Sequence, residues 1–599
     1  MLGFTVLPPP PRYPGMGPYG SNLSGVVPIV ETNNTLENPS GPEWQFLVGE
    51  GTYILKEDLH LATPPPHPSE APIINPNPLS TDPQPASAGT KVTLMSLEPR
   101  SPPAAFAKGP TASAFAPDAS AGAGDGSYDG RSSGDAIKSS EDSHNGTISD
   151  ITRPSESAPA FGEGNTLLAA APLKDATKRR KPKNNVTKSN SSFISRVIIN
   201  DNLSRRMAER PADGLYGFAN INRAFQWLDM SSPTKNDYFT KILFTKAHCL
   251  CHDVNLVTKA TTHMDVILGF STGEIIWLEP ISQRYTRLNK NGVINNTPVA
   301  EIKWIPGSEN LFLAAHMDGL LVVYDKEKED AVFLPEEDEG QPSTNDTPDD
   351  GSDPATKIQV QKSVHSKNQK SNPVAAWKLS NQRINAFAFS PDNRHLATVS
   401  EDGTLRIIDY LKEELVDLFY SYYGGLTCVC WTPDGKYILT GGQDDLISIW
   451  SKDDSALVAR CQGHDSWVSS VAVDPWRCDD RNYRFGSVGD DGRLCLWDFN
   501  VAMAHASKNA TRNRGSISSH PETDHGDGTT NGRNISHEVE MRANIPMIPA
   551  VLTTPIHKSP LCWLEFTSDS IMTSCKSGHI RTWNRPGMGP TEPVSEAAQ

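Results

Sequence analysis

Ser271 lies inside "GFSTG", Gly269–Gly273, the G-x-S-x-G spacing that sets a nucleophilic serine on a sharp turn. That chemistry needs a strand before the turn and a helix after it. Here "EIIWLEP" follows, an apolar alternation that predicts a second strand, so Ser271 reads as part of a hairpin. "HCLCHD", His248–Asp253, gathers two Cys and two His, a donor set suited to a metal. Such ligands normally come with a second, distant pair; none is evident, so a packed strand and its exit turn is the better reading. "GAGDGSYDG" has phosphate-loop glycines but no preceding strand. No catalytic residue, metal or cofactor is therefore expected.

A different constellation lies in "GHDSWVSSVAVDPW", from Gly463, and "VGDDGRLCLWDFN", from Val488. Together they supply a Gly-His pair, an acidic turn and a strand closed by Trp-Asp. The expected arrangement is a buried chain in which Asp491 orients the imidazole of His464 over strands that Trp497 helps pack. A satisfied buried network of this kind stabilises; a half-made one costs several kcal/mol. Gly489 stands where a Ser or Thr is expected, so the chain of bonds reads as incomplete.

Elements that would position these groups recur along the chain. "INAFAFSPDNRHLATVSEDGTLRIIDY" starts at Ile384, and "LTCVCWTPDGKYILTGGQDDLISIWS" at Leu426. Weaker copies start at Met264, Val299 and Ser559. Each has an alternating strand, a "SPDG"-like turn, a second strand, a tight acidic turn and a third strand ending in a large residue. The turn residues Asp402, Asp444 and Asp491 stand 42 and 47 residues apart, close to the ~40–45 of a WD-repeat blade. The strand-ending position reads Trp450 in one copy and Tyr324 or Ile408 in others.

The expected fold is all-β, a seven-bladed WD40 β-propeller with six legible blades and long disordered insertions. "KVTLMSL" from Lys91, "FISRVIIND" from Phe193 and "GLYGFANINRAFQWLDM" from Gly214 are the source of the seventh. Strands from both chain ends would share a blade and close the ring, leaving no open edge. The expected organisation is a Pro-rich region over 1–90 with a short ordered segment near 43–60, then a strand at 91–97. A disordered insertion over 98–190 precedes blades over 191–325. An acidic loop over 326–375 leads to blades over 376–499. A disordered insertion over 500–556, a last blade at 557–585 and a tail at 586–599 complete the chain.

Charge narrows the partners. The net charge of −16 is concentrated: from Lys326 to Asp353 there are eleven acidic and two basic residues. This describes a solvated loop and gives no support to nucleic acid as a partner. No run approaches ~18 apolar residues, so no membrane helix is expected, and the amino terminus lacks the basic and apolar regions of a signal peptide. Nine scattered cysteines suggest free thiols and a cytoplasmic protein. "KRRKPK" places Lys178, Arg179, Arg180, Lys181 and Lys183 together, a candidate nuclear import signal or a solubilising patch. Aromatics entering first strands, Tyr423 in "SYYGG" and Trp467 in "HDSW", are not needed inside a blade. They are candidate interface anchors.

"IKWIPGSENLFLAAHMDG", "AFAFSPDNRHLATVSEDG" and "YYGGLTCVCWTPDGKYILTGGQDDLISIW" resemble the fungal CreC family of WD-repeat catabolite-repression proteins. They are also similar to the animal WD-repeat cofactors of small ubiquitin-specific proteases. The resemblance implies a non-catalytic subunit that binds, stabilises and supports a CreB-like ubiquitin-specific protease, and through it tunes carbon catabolite repression. The protease-facing aromatics of the animal cofactor fall on Tyr423, in place of Phe, and on Trp467. Further WD-repeat or regulatory subunits are compatible with this reading. A rival is a substrate receptor of a cullin ubiquitin ligase. Such propellers carry a W-D-x-R box, whereas the strand ends here read "WDFN", "IWSK", "IIDY" and "TWNR".

Overall fold

A computed structural model describes residues 32–61, 72–97, 179–187, 192–200, 203–209, 214–232, 238–335, 356–366, 369–502 and 535–587, with single residues 64 and 161. Most of the stretches read as disordered insertions, the tail and Lys178 lie outside the described residues.

Seven sheets follow one another, each with four antiparallel core strands, and two of them add a short parallel strand at the outer edge. Blade 1 is Val92–Ser96, Leu215–Ile221, Ala224–Asp229 and Tyr238–Phe244, with Ile194–Ile199 outermost. The core strands of blade 2 are Cys249–Val254, Val266–Phe270, Ile275–Glu279 and Arg284–Leu288; those of blade 3 are Val299–Trp304, Leu311–His316, Leu320–Asp325 and Ala375–Lys378. Blade 4 is Ile384–Phe389, His395–Ser400, Thr404–Asp409 and Glu414–Tyr420, and blade 5 is Leu426–Trp431, Tyr437–Gly442, Leu446–Ser451 and Ala456–Gln462. Blade 6 is Val468–Val473, Asn482–Gly489, Arg493–Asn500 and Leu552–Pro555. Blade 7 joins Leu561–Phe566, Ser570–Cys575 and His579–Asn584 to Gly51–Leu61 from the other end of the chain.

The blades pack through what strand alternation delivers: one apolar face toward each neighbour. Seven hydrophobic clusters sit at the seven seams, each drawing on two successive blades. Leu59, Leu61, Val92, Ala219, Met572 and Ile580 form the cluster that joins blade 7 to blade 1. The propeller is therefore a closed ring, and a buried core runs around it.

The strands depart from the sequence reading in several places. The strand from Lys91 does not share the closing blade; it is the inner strand of a five-stranded blade of its own. Gly51–Leu61 closes the ring instead, pairing Leu59 with Ile580 and Leu55 with Trp583. Other differences concern residues read as insertions or loop, where Asn184–Asn185, Gln359–Lys362 and Ser536–His537 are short strands. Met547–Pro549 and Leu552–Pro555 are strands, the latter the outer strand of blade 6. Short edge strands need few apolar residues, so their composition hides them.

Candidate partner-docking face

The turns entering each inner strand lie on one face of the disc with the acidic turns between second and third strands. Most of the candidate residues meet here. In blade 6, His464 Nδ1 is 3.0 Å from Asp491 Oδ2, and its Nε2 is 2.7 Å from Ser487 Oγ. Trp497 Nε1 donates to the same hydroxyl at 2.9 Å. All four groups of the expected network are thus present, with Ser487 rather than residue 489 supplying the hydroxyl. Gly489 has a separate role: a Cβ there would stand 2.8 Å from the carbonyl oxygen of Trp467.

Burial opposes charge on His464, but Asp491 and Cys495 together outweigh it and the pKa is pushed up to about 9. Asp491 is in turn held below its ordinary value: burial raises it, but the bond and charge of His464 with the backbone amides of Asp465 and Arg493 together overcome that cost. Ser487, His464 and Asp491 have the connectivity of a hydrolytic triad. Ser487 and Trp497 are nonetheless fully buried, and the indole occupies the hydroxyl. No substrate reaches that oxygen, so the arrangement fastens a turn.

Other blades carry partial versions. Trp450 Nε1 donates to Thr440 at 2.9 Å, while Asp444 meets no imidazole and burial pushes it up to about 6. Asp402 pairs with Arg406 at 3.2 Å and accepts from Ser380 at 2.7 Å; with Thr404, these hold it below its ordinary value against the cost of burial. One buried cluster in blade 2 escaped the sequence reading: Asp265 binds His263 at 3.0 Å, Trp277 at 2.7 Å and Lys326 at 2.5 Å. Ser487 was findable, because it precedes Trp497 by the same ten residues that separate Thr440 from Trp450.

The aromatics stand above these fastened turns. Tyr423 is 73% exposed and Tyr422 47% exposed, with the Arg460 guanidinium 4.9 Å from the Tyr422 ring centre. Their loop is fixed from below. Ser421 N donates to Gly403 O at 2.7 Å, Ser421 Oγ to Gly424 O at 2.6 Å, and Gly425 N to Gln443 Oε1 at 2.9 Å. Gly424 turns the chain at φ +66°, which glycine adopts without strain. Trp467 is half-buried, its carbonyl bonded to Asp490 N at 2.9 Å. The loop is thus held by hydrogen bonds while its aromatic stays in solvent, the arrangement a partner-facing anchor would need.

The remaining candidates have structural places. Ser271 Oγ accepts from His248 N at 3.0 Å in the turn between two strands, as expected of a hairpin. Cys249 and Cys251 are buried in the blade 2 inner strand, and all nine cysteines are free. Among the described residues, no group of His, Cys, Asp or Glu is arranged to hold a metal ion. Arg179 donates to Thr258 O at 3.0 Å and pairs with Glu309 at 3.2 Å, with only 9% of its side chain exposed. Arg180 bonds Glu327 O at 3.0 Å, Lys183 pairs with Glu329 at 2.7 Å, and Lys181 is exposed. The described part of the basic run is thus fastened to blades 2 and 3.

These features define a WD-repeat propeller. The family model "WD domain, G-beta repeat" matches residues 372–409, 414–451 and 455–498. Each match begins on the outer strand of one blade and continues through three strands of the next. The chain is 41% identical over 414 residues to the UBP9-binding protein bun62 of Schizosaccharomyces pombe, covering 66% of this chain and 75% of the relative. It belongs to the WD-repeat family of that protein. A chain in the crystal structure of the mitotic checkpoint complex matches at 10% identity and a TM-score of 0.41, over 69% of this chain and 98% of the other.

Proposed function

We propose that this protein is a non-catalytic scaffold that binds a CreB-like ubiquitin-specific protease, stabilises it and supports its activity, and so acts in carbon catabolite repression. The observation that carries the reading is the fixed loop holding Tyr423 in solvent, with half-buried Trp467 in the matching turn of the next blade. A relative named for binding UBP9 supports the partner class. The mechanism is population shift: a stiff plate that fits only the productive conformation of the protease raises its share. Bond-making stays with the protease. The site of action is cytoplasmic; use of residues 178–183 for nuclear import would require Arg179 to leave Thr258 and Glu309.

The test is co-purification of the protease with a Tyr423→Ala/Trp467→Ala double variant. Binding is lost while thermal unfolding stays near that of the wild type. Undiminished binding by a well-folded double variant rejects this face.

A further inference from the structure

Residues 62–91 separate the last strand of blade 7 from the first of blade 1, far more than the five-residue turns 421–425 and 463–467, and residues 72–91 of that connection are described. It also runs the wrong way. Its first described contacts are with the acidic turn of blade 6, the blade before the one it leaves. There Asn75 Nδ2 donates to Asp490 Oδ2 at 3.0 Å, and Asn77 Nδ2 lies 3.1 Å from the same oxygen and 2.8 Å from Ser466 Oγ. Thr81 N donates to Asp490 O at 3.2 Å, and Ser466 Oγ to Leu79 O at 3.1 Å. Asp490 is also paired with Lys576 of blade 7 at 3.0 Å. The chain then returns past Lys576 O, bound by Ser87 at 2.7 Å, and Ala86 O, which accepts from Asn222 of blade 1 at 2.7 Å. Residues 72–91 are a strap tied to three consecutive blades.

At its contact with blade 6 the strap buries two asparagines and exposes two apolar side chains. Asn75 and Asn77 are 8% and 2% exposed, whereas Ile74 and Leu79 are 70% and 63% exposed. The reverse would be expected of a surface loop with no partner. The Leu79 carbonyl rests on the hydroxyl of Ser466, the residue directly before Trp467. Exposed Glu401 and Asp465 and half-buried Asp82 stand on the same face, Asp465 paired with Arg493 at 2.6 Å, and Asp445 is raised by burial and by the charges of Asp491 and Asp465.

We propose that Ile74 and Leu79 continue the docking surface of Tyr423 and Trp467, so that the protease grips the amino-terminal strap as well as the blades. The occupant is the ubiquitin-specific protease of the preceding section, on which this inference rests, meeting the strap with an apolar patch rimmed by Lys or Arg. The strap is continuous with the aromatics through Ser466, and the exposed carboxylate of Glu401 on the same face suits a cationic rim on the partner. Asn75, Asn77 and Asp490 act as positioning residues, since they hold the two apolar side chains outward without facing the partner themselves.

The experiment compares full-length variants for binding to recombinant UBP9 of Schizosaccharomyces pombe. Ile74→Ser/Leu79→Ser is expected to weaken binding roughly tenfold or more at unchanged melting temperature, because two exposed apolar contacts are removed. Ile74→Val/Leu79→Met, which keeps apolar area, is expected to bind nearly as the wild type does. If the serine pair binds normally while Tyr423→Ala/Trp467→Ala does not, the strap is no part of the interface and this inference falls alone. If both variants bind normally, the whole face falls with it. Failure of the wild type to bind rejects the protease reading itself.

Discussion

Asp491 and Asp444 hold the same turn position in adjacent blades, and only Asp491 meets an imidazole. Asp491 Oδ1 accepts from Arg493 N at 3.0 Å, as Asp444 Oδ1 does from Leu446 N at 3.2 Å. Where His464 is present the carboxyl is held low; where the entering turn offers glycines instead, burial pushes Asp444 up to about 6. The same backbone turn therefore carries opposite electrostatic costs in two blades.

That contrast sets a pH-dependent outcome for Asp444→Asn. A carboxyl whose folded pKa exceeds its unfolded value of about 3.8 loses stability as pH rises from there through about 6. Asparagine keeps an acceptor for Leu446 N and removes the charge. The variant should melt higher than the wild type at pH 7.5, by about 1–2 kcal/mol of stability, and match it near pH 4. Asp491→Asn should do the reverse at neutral pH, because it removes the partner of His464. Equal melting of Asp444→Asn and the wild type at pH 7.5 would discount the burial cost.

Ser487→Ala tests the fastening of the docking face. The substitution leaves His464 Nε2 and Trp497 Nε1 buried without their shared partner. A lost buried partner costs roughly 1–3 kcal/mol for each group stranded, so a clear fall in melting temperature is expected. Partner affinity should fall less than in Tyr423→Ala/Trp467→Ala, since no contact residue changes. Unaltered melting would mean the hydroxyl is dispensable.

How much of this was legible depends on where the signal resides. Blades 4, 5 and 6 announce themselves through Asp402, Asp444 and Asp491, because tight turns restrict residue choice and recur at a fixed period. The channel-facing and seam-facing residues follow from alternation. Ser487 was passed over because position 489 looked like the natural site, when ten-residue spacing to Trp497 selects the correct face. The closing strand was harder. Tyr53, Leu55, Leu59 and Leu61 all fall on odd numbers, which regular alternation assigns to one face. A register shift between Leu55 and Glu57 sends the pairs to opposite seams, and no local composition encodes a partner more than 500 residues away. The strap was invisible for a related reason. Asn and Pro in "IINPNPLS" read as loop whether or not the asparagines bind anything.

The closing strand yields the last prediction. Tyr53 and Leu55 pack with Phe566 and Trp583 at the seam with blade 6, while Leu59 and Leu61 pack with Val92 and Ala219 at the seam with blade 1. Removing residues 1–61 would strip both seams and bare the edge of His579–Asn584, a row of unpaired backbone groups. That truncation should aggregate on expression. Single changes should act in a graded way: Leu55→Ala and Leu59→Ala, at 0% and 1% exposure, each cost about 2–4 kcal/mol. Because they serve different seams, the double variant should show the sum of the two losses. A soluble, normally melting truncation would show that the ring closes without the amino-terminal strand, and the strap beyond it would then have no anchored origin.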